Sequence, residues 1–420
     1  MITIKNNDFL MMSFIILLFL LTGCRLGSEK EDFSVIDLSK GIEKVEILNL
    51  SDFANSISYI KMNTSDESVF GEIFRILYED DMFMVSDTRR NYLYIFNKDG
   101  SFKQKAGNIG QGPEEYTYLA WFDYLHGTDE ILLHDLYSGT YFYNLDGSFK
   151  RKINLSQEYV LSENNPAFPG NLFRVIYVDP TTYAVDVNYS GTPLSKLMFL
   201  NDSLQVVLDI PGSSLFEFDY GELGAILHDG FFTPEANVIL YRHNNRVVHY
   251  NPDRDSICIV DKDLNQKYMR FVYGDYKKDG FDKKRSIKLL NMQEYSNILF
   301  LDFNAPGLTP EPYEGYSSYN GVFAPLNFIN GIFNKTTGEL TFLKQAQKGK
   351  LGFKNDIDAG LPFWPKYITT QGEMVTYYRA DEFMEAFQNR EDTSEEVKAI
   401  LKDLKEDDNP VIAIAKLKKR

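Results

Sequence analysis

A seven-residue phrase occurs twice in this chain, and it constrains the fold more than any other feature. Asn97-Lys98-Asp99-Gly100-Ser101-Phe102-Lys103 returns 47 residues later as Asn144-Leu145-Asp146-Gly147-Ser148-Phe149-Lys150, with six of seven positions identical. An aromatic strand precedes each copy, Tyr94-Ile95-Phe96 in the first and Tyr141-Phe142-Tyr143 in the second. Asp-Gly between two such strands is a hairpin turn, because it tolerates φ > 0 where the strand twist demands it. Asp99, Gly100, Asp146 and Gly147 are therefore structural turn residues. Repeats of 40–50 residues built on hairpins are the sequence signature of propeller blades.

Fainter copies follow at Asn201, Asn251 and Asn334. The last gap is too long for one ordinary blade and reads as a blade carrying a large insertion over 305–320. Six blades result, roughly 70–107, 115–156, 170–210, 224–262, 285–345 and 352–380. Ring closure draws on the strand Ile57–Met62. The tail reads differently. Thr393-Ser394-Glu395-Glu396 is a capping box, and Val397, Ile400, Leu401 and Leu404 make the apolar stripe of one amphipathic helix. Asp407-Asp408-Asn409-Pro410 stops it, and Val411–Leu417 reads as a strand. The expected fold class is all-β, a six-bladed propeller of four-stranded antiparallel blades with a C-terminal helix and strand.

The N-terminus has its own logic. Lys5 precedes an apolar run, Phe9–Leu21, of secretory length but short for a membrane span, and Leu21-Thr22-Gly23-Cys24 follows at once. The arrangement is that of a bacterial lipobox, with Cys24 as the lipidation site. Acyl chains contribute about 0.8 kcal/mol per buried CH₂, so several on one cysteine anchor stably. The acidic stretch Ser28–Asp32 has two readings, a solvated tether or an export signal for surface display. The organisation expected is signal peptide 1–23, lipidated acidic lead 24–55, propeller 56–390, and a helix and strand at 391–420 packed on the propeller. The expected location is the cell envelope, lipid-anchored to the outer membrane.

Composition excludes some functions. The formal net charge of −16 disfavours nucleic acid, whose phosphates require a basic footprint. Of two cysteines, lipidated Cys24 leaves Cys258 without an intrachain partner, as a small hydrophobe in a buried strand.

At Gly110-Gln111-Gly112-Pro113-Glu114-Glu115-Tyr116 the chain resembles the six-bladed β-propeller lipoproteins of Gram-negative gut anaerobes. The similarity continues through Asn355–Pro365 (NDIDAGLPFWP) and Asp407-Asp408-Asn409-Pro410-Val411. It implies a lipid-anchored propeller, distantly similar to NHL-repeat propellers that bind peptides, proteins or glycans.

Candidate chemistry is sparse. The loop Gly107–Tyr116 is either an inter-blade turn plugged by Tyr116, with Gly112 packed near the next blade, or a ligand loop using Gln111, Glu114 and Tyr116. Tyr313, Tyr316 and Tyr319 in the insertion either seal the fifth blade or present flat amphipathic rings to a protein or sugar. The five histidines show no HxH or HExxH spacing, and no GxSxG elbow announces a nucleophile. His134-Asp135 and His228-Asp229 are adjacent pairs. The expectation is a non-enzymatic binding or scaffold module for a glycan, peptide or envelope protein, without a cofactor. The alternative is a lactonase-like hydrolase or lyase using Ca²⁺ held by channel carboxylates from Asp87, Asp135, Asp186, Asp356 and Asp358.

Overall fold

A computed structural model describes residues 35–87, 92–155, 170–189, 195–210, 238–251, 256–276, 285–309, 313–317 and 322–418. β1 (Val35–Asp37), the one-turn helix α1 (Leu38–Gly41), β2 (Val45–Glu46) and β3 (Ala54–Lys61) come first. Blade 1 is β4 (Ile73–Glu79), β5 (Met82–Asp87), β6 (Leu93–Asn97) and β7 (Phe102–Ala106). Blade 2 is β8 (Leu119–Tyr124), β9 (Glu130–Asp135), β10 (Gly139–Asn144) and β11 (Phe149–Ile153). Blade 3 is β12 (Gly170–Asp179), β13 (Thr182–Tyr189), β14 (Ser195–Asn201) and β15 (Val206–Ile210). Blade 4 is β16 (Ile239–His243), β17 (Arg246–Asn251), β18 (Ser256–Val260) and β19 (Gln266–Val272).

Blade 5 is β20 (Lys288–Tyr295) and β21 (Ile298–Asn304), then, beyond the separate hairpin β22 (Tyr313–Ser317) and β23 (Val322–Leu326), β24 (Phe328–Asn334) and β25 (Glu339–Leu343). β26 (Tyr367–Ile368) and β27 (Glu373–Tyr378) open blade 6. The helices α2 (Ala380–Phe387) and α3 (Glu395–Asp403) follow, and β28 (Val411–Leu417) ends the described chain. The fold is a six-bladed β-propeller.

Burial explains the strand sequences. The two middle strands of blades 1 and 2 are covered on both faces and read as nearly unbroken apolar runs, such as Met82–Val85. Outer strands such as β11 alternate half-buried residues with exposed ones, here Lys150 and Lys152, which blunts an unpaired edge. Aromatic rings fill the seams between blades; Phe142 meets Tyr177 at 6.0 Å and Tyr183 at 5.8 Å. Cys258 is buried in β18, as expected of a small hydrophobe.

Closure uses both chain ends. Blade 6 has the order β26-β27-β28-β3, with Ile412 opposite Ile60, so β3 supplies the outermost strand as the sequence implies. Residues 391–420 are therefore not merely packed on the ring, because β28 is an internal strand of blade 6. The lead expected to extend to residue 55 also needs correction. β1 adds in parallel to β19 and β2 to β25, as fifth strands of blades 4 and 5. Buried Ile36, Leu38 and Leu50 hold this segment down. Blade 4 extends to Val272, beyond its expected limit, because its outer strand β19 is largely exposed and polar. In α3 the N-cap is Ser394, whose side chain accepts from the Val397 amide at 3.3 Å. Val397 and Leu404 pack fully, and Ile400 and Leu401 partly, into the cluster that holds Tyr59, Phe383 and Phe387 of β3 and α2.

Candidate functional site

The first strand of each blade lines the axis. β8 touches β12, β12 touches β16, β16 touches β20, β20 touches β26, and β26 touches β4. These strands end in turns at one mouth of the channel. Two turns are two-residue hairpins at Asp80-Asp81 (φ 50° and 59°) and Asn244-Asn245 (φ 47° and 58°), left-handed at both central positions as a type I′ turn requires. The mouth encloses a cavity of about 490 Å³. It draws Glu79 from blade 1, Tyr124 and His126 from blade 2, Tyr241–Asn245 from blade 4, Gln293 and Glu294 from blade 5, and Tyr367 from blade 6.

Tyrosine–carboxylate pairs across blade seams set its electrostatics. Tyr124 donates to Asp80, Tyr367 to Glu79, and Tyr241 to Glu294 (3.2 Å). Burial holds the Tyr241 and Tyr367 phenols well above their ordinary range, and the adjacent carboxylates add to this, so both are neutral donors. Burial also raises the Glu79 carboxyl, against the opposing hydrogen bond from Tyr367. His243 is held below the usual imidazole range by burial, and its Nε2 accepts from Asn244 Nδ2 at 2.9 Å. Glu294 is answered by Arg246 (3.4 Å) and Lys335.

Deeper in the throat, Arg242 reaches across two seams. Its Nη1 donates to the Tyr177 carbonyl (2.7 Å) and to Asp123 Oδ2 (3.1 Å), and its Nη2 donates to the Tyr124 carbonyl (2.9 Å). Arg75 lies 3.9 Å from the same Asp123, and its Cζ sits 4.1 Å from the centre of the Trp121 ring. Arg174 is 5.1 Å from that ring and 3.8 Å from Asp186, whose Oδ1 contacts His249 at 3.1 Å.

The residues singled out in the sequence lie elsewhere. The loop Gly107–Tyr116 enters the opposite end of β8, about 17 Å of strand from Tyr124. It closes on itself through Gly110 N donating to Tyr116 O (3.0 Å) and Gly112 N to Glu115 Oε2 (2.9 Å), and Tyr143 Oη of β10 ties it down by donating to Glu114 O (2.6 Å). Tyr116 is wholly buried among Leu93, Phe122 and Tyr141, which leaves no face for a ligand and corrects its candidacy. Gln111 and Glu114 are exposed on that far face. A side chain on Gly112 would meet Glu115 at 3.1 Å, not the next blade. Tyr313 and Tyr316 fall on β22, in a hairpin inserted after Asn304. Asn304 pairs with Lys288 at the end of β20 remote from Gln293. Tyr319, Cys24, the acidic stretch 28–32 and His228 lie outside the described residues.

The five carboxylates do not converge. Asp87 caps the Gly71 amide (2.9 Å), and Asp135 takes the amides of Tyr118, Tyr137 and Ser138 at 2.8–3.1 Å. Asp356 binds Ser51, Asp358 accepts from Tyr59 Oη (2.8 Å), and Asp186 pairs with His249. Among the described residues no three His, Cys, Asp or Glu side chains gather closely enough to hold a metal ion. His134 is no relay partner of Asp135. Its ring spans Thr140 Oγ1 (2.9 Å) and the Leu172 carbonyl (2.8 Å), and burial pushes it down to about 4.

Sequence reasoning missed the mouth residues because single positions on buried strands carry no motif. The usable signal was the pair of Asx-Asx turns at 80–81 and 244–245, which end two axis-lining strands.

Fold and cavity together define a six-bladed β-propeller with a polar axial mouth. The chain belongs to the family described as Domain of unknown function (DUF4934), which it matches over residues 33–416. It is similar in structure to a "Putative exported protein" from Bacteroides fragilis NCTC 9343, with a TM-score of 0.63 at 15% identity, covering 92% of this chain and 100% of that one. A member of the DUF4221 family from Bacteroides vulgatus ATCC 8482 aligns with a TM-score of 0.48 at 12% identity, over 89% of this chain and 98% of that one. No curated protein matches.

Proposed function

We propose that this protein is a non-enzymatic binding module of the cell envelope that takes a hydrophilic ligand, a glycan or peptide, at the axial mouth. The observation that carries the reading is the convergence of polar and tyrosine side chains from five blades on one cavity of about 490 Å³. That volume lies in the range of small-molecule sites. Tyrosine rings offer a flat apolar face with a polar edge, and the Asn, Gln and His groups supply donors and acceptors. The "Putative exported protein" with the same fold supports a place outside the cytoplasm. Lipidation at Cys24 is the proposed means of attachment to the outer membrane. A Cys24→Ala chain is expected to partition into the aqueous phase of a detergent extraction, and a lipid label still carried by that variant would remove the anchor.

The mouth is tested with glycan and peptide arrays followed by titration. Gln293→Ala and His126→Ala change groups that reach the solvent, so both variants are expected to fold. Each is expected to weaken the array ligand about tenfold, the value of one hydrogen bond. A ligand bound equally well by both variants would move the site elsewhere.

A further inference from the structure

We propose that the throat below the mouth is a carboxylate-binding site, which takes the acid group of an acidic sugar such as a uronic acid. This inference rests on the reading of the mouth as the ligand's point of binding. Three arginines from blades 1, 3 and 4 meet there: Arg75, Arg174 and Arg242. Two acids answer them, Asp123 and Asp186. The two acids do not match the three guanidiniums one for one, and Glu79, the next acid towards the mouth, is taken by the Tyr367 hydroxyl and raised by burial.

Geometry supports the same assignment. Arg242 is engaged by carbonyls and Asp123, but Arg75 and Arg174 stand 3.9 and 3.8 Å from their acids, beyond hydrogen-bond distance. Stacking on Trp121 orients the Arg75 guanidinium by its flat face, which leaves its edge to form the planar fork that matches a carboxylate. Two buried donors beside each other, Arg75 Nε and Trp121 Nε1, have no acceptor among the described residues. Such groups are uncommon in folded proteins and each one calls for a reason. Asp186 Oδ2 is likewise without a donor and can accept a hydroxyl of the same sugar.

Arg242 lines the cavity itself, and Arg75 and Arg174, on the axis-lining strands β4 and β12, keep 18% and 21% of their side chains exposed. Burial pushes the Arg75 guanidinium down to about 10, with Asp123 offsetting only part of that cost. An arriving carboxylate would offset the rest.

The test is a titration of the full mature chain with sodium glucuronate, glucose and inorganic phosphate at low ionic strength, followed by NMR. Glucuronate is expected to bind at least tenfold more tightly than glucose, and more tightly than phosphate. Arg75→Gln is expected to lose about tenfold or more for glucuronate while leaving glucose unchanged, and Arg75→Lys to lose part of that. Glucuronate binding no tighter than glucose or phosphate would overturn the proposal, as would a folded Arg75→Gln protein with unaltered affinity. Should Arg75→Gln fail to fold, Trp121→Phe removes the indole donor and part of the ring that orients Arg75, and should still weaken glucuronate several-fold; no change would refute the assignment. Neutral glycans that bind at the mouth without any preference for the acid would sink this inference and leave the mouth standing. A glucuronate response insensitive to Gln293→Ala and His126→Ala would instead count against the mouth.

Discussion

Gly100 sits at φ 81° in the first Asp-Gly turn, with Ser101 N and Oγ donating to Asp99 Oδ1 at 2.9 and 2.6 Å. The second copy repeats the geometry at Gly147, φ 80°, with Ser148 on Asp146. A local bond and a local dihedral specify each turn, which is why seven residues sufficed to read it. The structure adds a non-local reason for the first glycine. A Cβ there would stand 2.2 Å from the Lys61 carbonyl oxygen, and the Gly100 carbonyl accepts from Asn63 N at 2.8 Å. The turn of blade 1 thus packs against the closing strand β3. Gly100→Val is expected to cost on the order of 1–3 kcal/mol from backbone strain alone, with displacement of β3 in addition. Gly112→Val is expected to cost less, because it lacks a positive φ and meets only the movable Glu115 side chain. Urea unfolding of the two variants checks the order. A Gly100→Val protein within 0.5 kcal/mol of the parent would refute the argument.

At the scale of elements, the motifs that carry the family resemblance turn out to be clamps. Asn409 is 1% exposed, and its Nδ2 donates to the carbonyls of Asn63 (2.8 Å) and Ser68 (2.9 Å) while its Oδ1 accepts from Phe70 N (3.1 Å). That one side chain fixes the connection between β3 and β4. Asp356 and Asp358 in the other motif tie down Ser51 and Tyr59, and Trp364 packs on Phe300 (5.8 Å) and Phe353 (5.4 Å). Each of these residues joins chain segments that lie far apart in sequence. The blades were legible for a different reason: strands covered on both faces must be apolar throughout. The outer strands β19, β1 and β2 were not legible, since they are short or largely exposed and their pairing is set by distant partners. The mouth was illegible for a third reason. Its groups come one or two at a time from five blades, and only ring closure brings them together.

For the whole molecule, ring closure is the condition on which everything else rests. β28 lies between β27 and β3, and its Val411, Ile412, Ala413 and Ala415 have no exposed surface. Its loss would detach β3, uncover the core around Tyr59 and Phe383, and leave only the two-stranded remnant β26–β27 between blades 5 and 1. Removing residues 411–420 is therefore expected to abolish the cooperative thermal transition and to give aggregates on size exclusion. The insertion offers the matched control. Among the described residues the hairpin β22–β23 pairs with no blade, and its flanks already meet: Ala305 N donates to Asn327 O at 2.8 Å and Thr309 Oγ1 to Phe328 O at 3.3 Å. Replacing residues 310–326 with a short Gly-Ser link is expected to leave a single transition within about 4 °C of the parent, equivalent to roughly 3 kcal/mol in a chain of this size. Scanning calorimetry of the two deletions compares them directly. A 411–420 deletion that still melts cooperatively would show that five blades and an open sixth hold the ring without its last strand, and the axial mouth would then have no claim to a fixed shape.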